Sequence, residues 1–272
     1  MDLNAVQAVL KPRARDELAP APGDVCLAGG TWLFSEPQPA ARRLIDLTRL
    51  GWTPLELTEA GLTIAATSTV ARLDALELPA DWRAGWLVRE CCRAFLASFK
   101  IWNMATVGGN ICLGLPAGPM TSLASALEGE ALIWGPDGAE RRMPVAAFVR
   151  GPLDVALAPG EVLRAIDIPA RALRRAAAFR RASLTPLGRS GVLLIGTRDA
   201  EGFHITITAS TRHPVVLAFD HLPGWDELAA RLGSAIPDAL YYDDIHGRPD
   251  WRRHMTFLFA QEIRDELAGA AP

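Results

Sequence analysis

The sequence predicts an α+β fold. Residues 1–170 mix short strands and helices without regular βαβ alternation, a β-branched hairpin follows at 192–208, and amphipathic helices close the chain. With 272 residues, 50% of them hydrophobic, and a formal net charge of −3, there is ample material for a core. Length alone fits one domain or two.

Residues 3–10 are short and apolar, and Val25-Cys26-Leu27-Ala28 reads as a buried strand feeding a glycine turn. Arg43-Leu44-Ile45-Asp46-Leu47 alternates as a strand does. Leu62-Thr63-Ile64-Ala65-Ala66 does the same, ahead of an N-cap at Ser68 or Thr69. Apolar residues recur at helical spacing over 86–99, and 123–127 also reads as helix. Ala131-Leu132-Ile133-Trp134 is a hairpin limb ending in the turn Gly135-Pro136-Asp137-Gly138. Proline closes the strand Ile166-Asp167-Ile168-Pro169, and an Arg/Ala-rich connector occupies 170–178. Beyond it, 192–196 and 203–208 pair antiparallel across the turn Asp199-Ala200-Glu201-Gly202. Helices are expected at 225–232 and 251–267, the latter with Met255, Leu258, Phe259 and Ile263 on one side.

Composition excludes several function classes. A near-neutral charge gives no electrostatic argument for nucleic acid or membrane. No apolar run approaches the ~18 residues of a membrane span, and residues 1–10 lack a cationic leader, so the expected location is cytoplasmic. Cys26, Cys91, Cys92 and Cys112 show no C-x-x-C spacing and read as reduced thiols rather than metal ligands. Asp243, Asp244 and His246 share one loop, where turn or cap chemistry outweighs a metal site; Tyr241 and Tyr242 read as packing residues. Seven arginines and no acid lie between Arg171 and Arg198, a solvated basic face or a docking surface for an acidic or phosphate partner. No G-x-G-x-x-G, P-loop, H-E-x-x-H or nucleophile elbow is present, and no catalytic or metal-ligating residue is assigned.

What remains is a pair of glycine loops, Leu27-Ala28-Gly29-Gly30-Thr31-Trp32 and Asn103-Met104-Ala105-Thr106-Val107-Gly108-Gly109-Asn110. Consecutive residues without bulk let backbone N–H groups approach an anion, so a split pyrophosphate cradle is expected. Thr31 and Thr106 add hydroxyl donors, and Asn110 an amide.

These loops, with Pro116-Ala117-Gly118, Phe148-Val149-Arg150-Gly151, Leu157-Ala158-Pro159-Gly160-Glu161-Val162-Leu163, Ala178-Phe179-Arg180-Arg181-Ala182-Ser183 and Trp251-Arg252-Arg253-His254-Met255, resemble the FAD-binding subunits of molybdenum hydroxylases. That family includes the medium subunit of carbon monoxide dehydrogenase and the flavin domain of xanthine dehydrogenase. The resemblance spans essentially the whole chain. It implies an FAD-binding domain of two small α+β subdomains of the PCMH type over 1–170, then a C-terminal α+β domain with an antiparallel sheet over 171–272. It implies FAD, held by residues 27–32 and 106–110, with Leu163 packing by the flavin and Arg180 near its ring system. A surface or ion-paired Arg180 is the competing reading. The implied partners are a [2Fe–2S] subunit and a molybdopterin-binding large subunit, with NAD or quinone as external acceptor. The chain departs from the family pattern at Pro119, where an aspartate is usual, and at Trp32 and Trp102. A subunit that keeps the fold but not FAD, serving assembly alone, is the alternative those departures leave open.

Overall fold

The computed structural model describes residues 3–270. Met1 and Asp2, part of the leader reading above, and the last two residues of the 171–272 segment lie outside them.

Along the chain run β1 (Ala8–Leu10), β2 (Asp24–Leu27), β3 (Arg43–Asp46), β4 (Leu55–Thr58), β5 (Gly61–Ala65), α1 (Val70–Asp74), α2 (Trp86–Ala94), α3 (Phe99–Trp102), α4 (Val107–Cys112) and α5 (Pro119–Ala126). There follow β6 (Glu130–Trp134), β7 (Glu140–Pro144), α6 (Val145–Phe148), β8 (Val149–Gly151), β9 (Asp154–Val155), β10 (Val162–Pro169) and α7 (Ala170–Leu173). The remainder is β11 (Ala176–Ala182), β12 (Val192–Arg198), β13 (Phe203–Thr208), β14 (Val215–Phe219), α8 (Trp225–Ala235) and α9 (Pro249–Ala268).

Three larger sheets and the two-stranded pair β8-β9 organise these elements among the described residues. The first is small and parallel, β1-β3-β2; the second is β4-β5-β10-β6-β7, antiparallel throughout; the third is the meander β11-β12-β13-β14. The α+β expectation holds. The antiparallel hairpin expected at 192–208 forms, in a register that sets Leu193 opposite Thr208 and Arg198 opposite Phe203. Asp199 closes its turn by accepting from the amides of Glu201 and Gly202. Thr69, rather than Ser68, caps α1 through its hydroxyl.

Several elements differ from the sequence reading, each for a physical reason. The helix expected over 86–99 ends at Ala94, where Phe95 leaves helical geometry with a ψ of 75° and its carbonyl accepts the Trp102 indole N–H at 2.9 Å; a second short helix, α3, then starts. The Arg/Ala connector at 170–178 holds α7 and the start of β11, where β-ladder pairing with β12 overrides a composition poor in strand formers. Strand β2 is half-exposed rather than buried, since it forms one edge of the parallel sheet. In α9, Phe259 and Ile263 are buried as expected, but Leu258 is exposed.

Strand β12 explains why its sequence is apolar without alternation. Leu193 and Ile195 join the core built on α2, α5 and the five-stranded sheet, whereas Val192 and Leu194 join the core between β11–β14 and α9. Both faces are covered. A Cβ on Gly196 would stand 2.2 Å from Ile263, so glycine is what lets α9 lie against this strand. Across the other face, the hydroxyls of Ser122 on α5 and Thr208 on β13 are 2.7 Å apart and buried.

The basic run at 171–198 is mostly neither a free solvated face nor a docking surface. Arg171 and Arg175 bind Glu128, Arg175 also binds Asp199 at 2.6 Å, and Arg174 binds Asp81 at 3.0 Å. The acids come from elsewhere in the chain. His204 beside Glu128, then Arg175 and Arg171, hold that carboxyl well below the usual carboxylate range, against the opposing effect of burial. A depressed folded-state pKa contributes stability that is present above the unfolded value and lost as pH falls through the folded one. Stability should therefore drop below about pH 4, and Glu128→Gln should flatten that drop while costing about 2 kcal/mol at neutral pH. Urea titrations of both proteins from neutral to acid pH check this; parallel curves would remove Glu128 as the cause.

Candidate functional site

A cavity of about 660 Å³ opens where the small parallel sheet, helices α4 and α5 and the loop before β12 meet. Both glycine loops line it. Ala28, Gly29, Gly30, Thr31 and Trp32 form one wall, and Thr106, Gly109 and Asn110 a second.

The first loop leaves β2 and turns at Gly30, whose φ of +70° lies in the left-handed region. The Gly30 carbonyl accepts the Phe34 amide at 2.9 Å, and the Trp32 carbonyl accepts the Ser35 amide and hydroxyl. The amides of Gly29, Gly30, Thr31 and Trp32 donate to no acceptor among the described residues. Successive unpaired N–H groups beside a cavity make an anion-binding edge.

The second loop works differently. Val107 donates to Ser68 O at 2.8 Å, Gly108 to Ala66 O at 3.0 Å, Gly109 to Thr106 Oγ1 at 3.1 Å and Asn110 to Thr106 O at 3.0 Å. Its backbone donors are already used, which corrects the expectation of a cradle built from amides on both sides. What it offers instead is the Thr106 hydroxyl proton and the Asn110 amide nitrogen. Asn110 Oδ1 meanwhile accepts the Met120 amide at 3.1 Å, serving the first turn of α5, where Gly118 supplies no cap and Pro119 no N–H.

The glycines also act differently from expectation. A Cβ on Gly29 would stand 1.9 Å from the Met104 carbonyl oxygen, and one on Gly108 would stand 2.4 Å from the Ala66 Cβ. These two residues let backbone segments touch each other, so that the loops come together; Gly29 faces the cavity as well, whereas Gly108 does not.

Five expected site residues lie outside the lining. Leu27 packs beneath Gly30, and Val107 is buried in the core at 2% exposure. Gly108 is held against Ala66. Leu163 points into the core from β10, its register partner being Ile133. Arg180 is bound at 2.7 Å by Glu262 and at 2.8 Å by Glu266, both on α9, so the ion-paired reading of this residue is the observed one.

Other segments complete the cavity. Val25 and Cys26 line it from β2, residues 94–97 from the break after α2, and Leu115, Ala117, Gly118 and Pro119 from the approach to α5. Leu187, Arg189 and His246 line it from the far end of the chain. Asp244 does the turn chemistry expected of its loop, accepting the His246 amide at 2.8 Å, and Tyr241 is buried packing. Only the exposed break at 95–98 had a local signal, the end of the helical period. Burial pushes the Cys112 thiol in the lining up to about 12, so it stays protonated. No carboxylate lines the cavity among the described residues.

The sequence of residues 8–171 matches the model of the FAD-binding domain in molybdopterin dehydrogenase. The chain belongs to that family. No curated protein matches it significantly in sequence. Its fold is shared with quinoline 2-oxidoreductase from Pseudomonas putida 86, at 20% identity over 98% of both chains and a TM-score of 0.77. Carbon monoxide dehydrogenase from Hydrogenophaga pseudoflava matches with a TM-score of 0.79 and 19% identity over 97% of this chain and 98% of that one. Reconstituted CO dehydrogenase from Oligotropha carboxidovorans gives 0.79 and 21% over the same shares.

FAD is the cofactor of this family, and the residues present fit it. The cavity falls within the ~300–1,000 Å³ of small-molecule sites. Four unpaired amides suit a diphosphate, the apolar walls suit a flavin ring system, and no carboxylate opposes the negative charge. Trp32 forms part of the cavity wall. Among the described residues no group of His, Cys, Asp and Glu is placed to hold a metal, and no helix is long and apolar enough to cross a membrane.

Proposed function

We propose that this chain is the FAD-binding electron-transfer subunit of a molybdenum-containing hydroxylase or dehydrogenase complex. Residues 1–170 act as the FAD-binding domain and 171–272 as the C-terminal domain. Electrons come from the [2Fe–2S] clusters of a partner subunit, after a molybdopterin-binding large subunit has oxidised the substrate, and leave to an external acceptor such as NAD or a quinone. The complex works in the cytoplasm. The observation that carries this reading is the run of unpaired amides at Gly29–Trp32 facing a cavity closed by Thr106, Gly109 and Asn110.

Bound FAD supplies the redox chemistry, taking electrons singly and delivering them in pairs. The chain's own tasks are binding and orientation. The 29–32 amides and the Thr106 hydroxyl hold the diphosphate, Asn110 fixes α5 against α4, and the apolar walls at 94–97 and Leu115 exclude water from the rest of the cofactor. No general acid or base is required in this chain for such a role.

The purified protein should show flavin absorption bands and release FAD on denaturation. Co-purification from the native source should bring the iron–sulfur and molybdopterin subunits with it. A protein that is colourless and takes up no added FAD would leave the assembly-subunit reading instead.

A further inference from the structure

Six of the seven arginines between 171 and 198 have partners. Arg171, Arg174, Arg175 and Arg180 bind carboxylates, Arg181 binds Ser190 Oγ at 2.6 Å and the Gly188 carbonyl, and Arg198 binds the Leu267 carbonyl at 2.5 Å. Arg189 is the exception. It makes no ion pair or hydrogen bond with any described residue, and it is the arginine of this run that lines the cavity.

We propose that Arg189 is the cation that binds the diphosphate of FAD, a charge that neither glycine loop carries. The inference rests on the FAD reading of the cavity. The amide edge at 29–32 supplies oriented dipoles but no net charge, and the lining holds no lysine and no other arginine. A dianionic group drawn from water into an apolar-walled cavity keeps a large electrostatic cost unless a full positive charge meets it. Arg189 is the guanidinium available.

Its backbone is prepared for that task. The carbonyl of Gly188 and the hydroxyl of Ser190, the residues on either side, are both gripped by the one guanidinium of Arg181. Gly188 N also donates to Thr185 O at 2.9 Å, Gly191 N to Ala182 O at 2.9 Å, and the Gly191 carbonyl accepts from Arg252 at 3.0 Å. Fixing the chain on both sides while leaving the side chain unpaired lowers the ordering cost of a charge-assisted contact.

The test is a titration of the full flavin-free chain with FAD and, separately, with riboflavin, which lacks the diphosphate. Arg189→Ala should weaken FAD at least about tenfold and leave riboflavin unchanged, with Arg189→Lys in between, because the lysine keeps the charge but not the fork. Arg174→Ala, removing a cation of the same run that is paired with Asp81 and absent from the cavity lining, should leave both titrations at the wild-type values. The inference is overturned if Arg189→Ala binds FAD as tightly as wild type, or if it loses riboflavin to the same extent as FAD. A wild-type chain that takes up no FAD overturns the flavoprotein reading itself, and with it the role of Arg189; wild-type binding with an unaffected Arg189→Ala overturns the latter alone.

Discussion

Arg252→Ala is expected to be the most destabilising single truncation in the molecule, at about 3–5 kcal/mol, with a fall in Tm on the order of 10 °C. The side chain is 1% exposed and is the largest fully buried one among the described residues. Its guanidinium donates to the carbonyls of Gly247 at 2.9 Å, Gly191 at 3.0 Å and Ala209, and to Asp244 at 2.5 Å. Truncation leaves three carbonyls and a carboxylate without that donor, and each unpaired buried group keeps its full desolvation cost. Arg252→Lys should recover only part of the loss, since one ammonium cannot span four acceptors in a planar fork. The effect should extend to FAD, because Gly191 ends the segment bearing Arg189 and Gly247 follows His246. Thermal and urea unfolding, with FAD titration at a temperature where the variant is folded, read both effects. A loss under 1 kcal/mol would mean that the network contributes little.

The second large effect is expected at Gly29. Adding one methyl group there places a carbon 1.9 Å from the Met104 oxygen and 2.7 Å from its carbonyl carbon, both backbone atoms that no rotamer change moves aside. The two loops must separate. Overpacking of this kind costs about 1–3 kcal/mol, and here the cost falls on the cavity, so Gly29→Ala should reduce FAD affinity ~10–100-fold. The third sheet and its core contact neither loop in this way and should keep their stability. Gly30→Ala reaches the same wall through a different obstacle, the exposed ring of Phe34 together with a φ of +70°. Both variants should lose flavin absorbance on gel filtration; Gly29→Ala retaining a full complement would show that the loops do not need their present separation.

How much of this was legible in the sequence differs between fold and site. Period-2 alternation and a turn residue set at 199–202 act over a few residues, so the hairpin at 192–208 is legible with its turn. Strand β11 was not, because Ala176-Ala177-Ala178 has no strand preference of its own and is ordered by its partner β12. The glycine loops were legible as loops, but not which amides stay unpaired: Gly108 and Gly109 donate to acceptors within and before the loop, a fact of three-dimensional placement. Arg180 and Arg189 differ in the same manner. Both stand in one acid-free run, and only the acids of α9, some eighty residues on, decide that Arg180 is engaged. His246 was read as part of a turn, and it is; its second role as cavity wall depends on a contact between segments with no shared local signal.

Helix α5 begins at the cavity with Gly118 and Pro119, is bound to the second glycine loop through Asn110, and meets β13 through the Ser122–Thr208 hydroxyl pair. Leu187, Arg189 and His246 reach the same cavity from residues beyond 171. Cofactor retention is therefore a gauge of docking between the two halves of the chain: a change that loosens the contact of α5 with the β11–β14 sheet should be felt first as faster flavin loss, before either half unfolds.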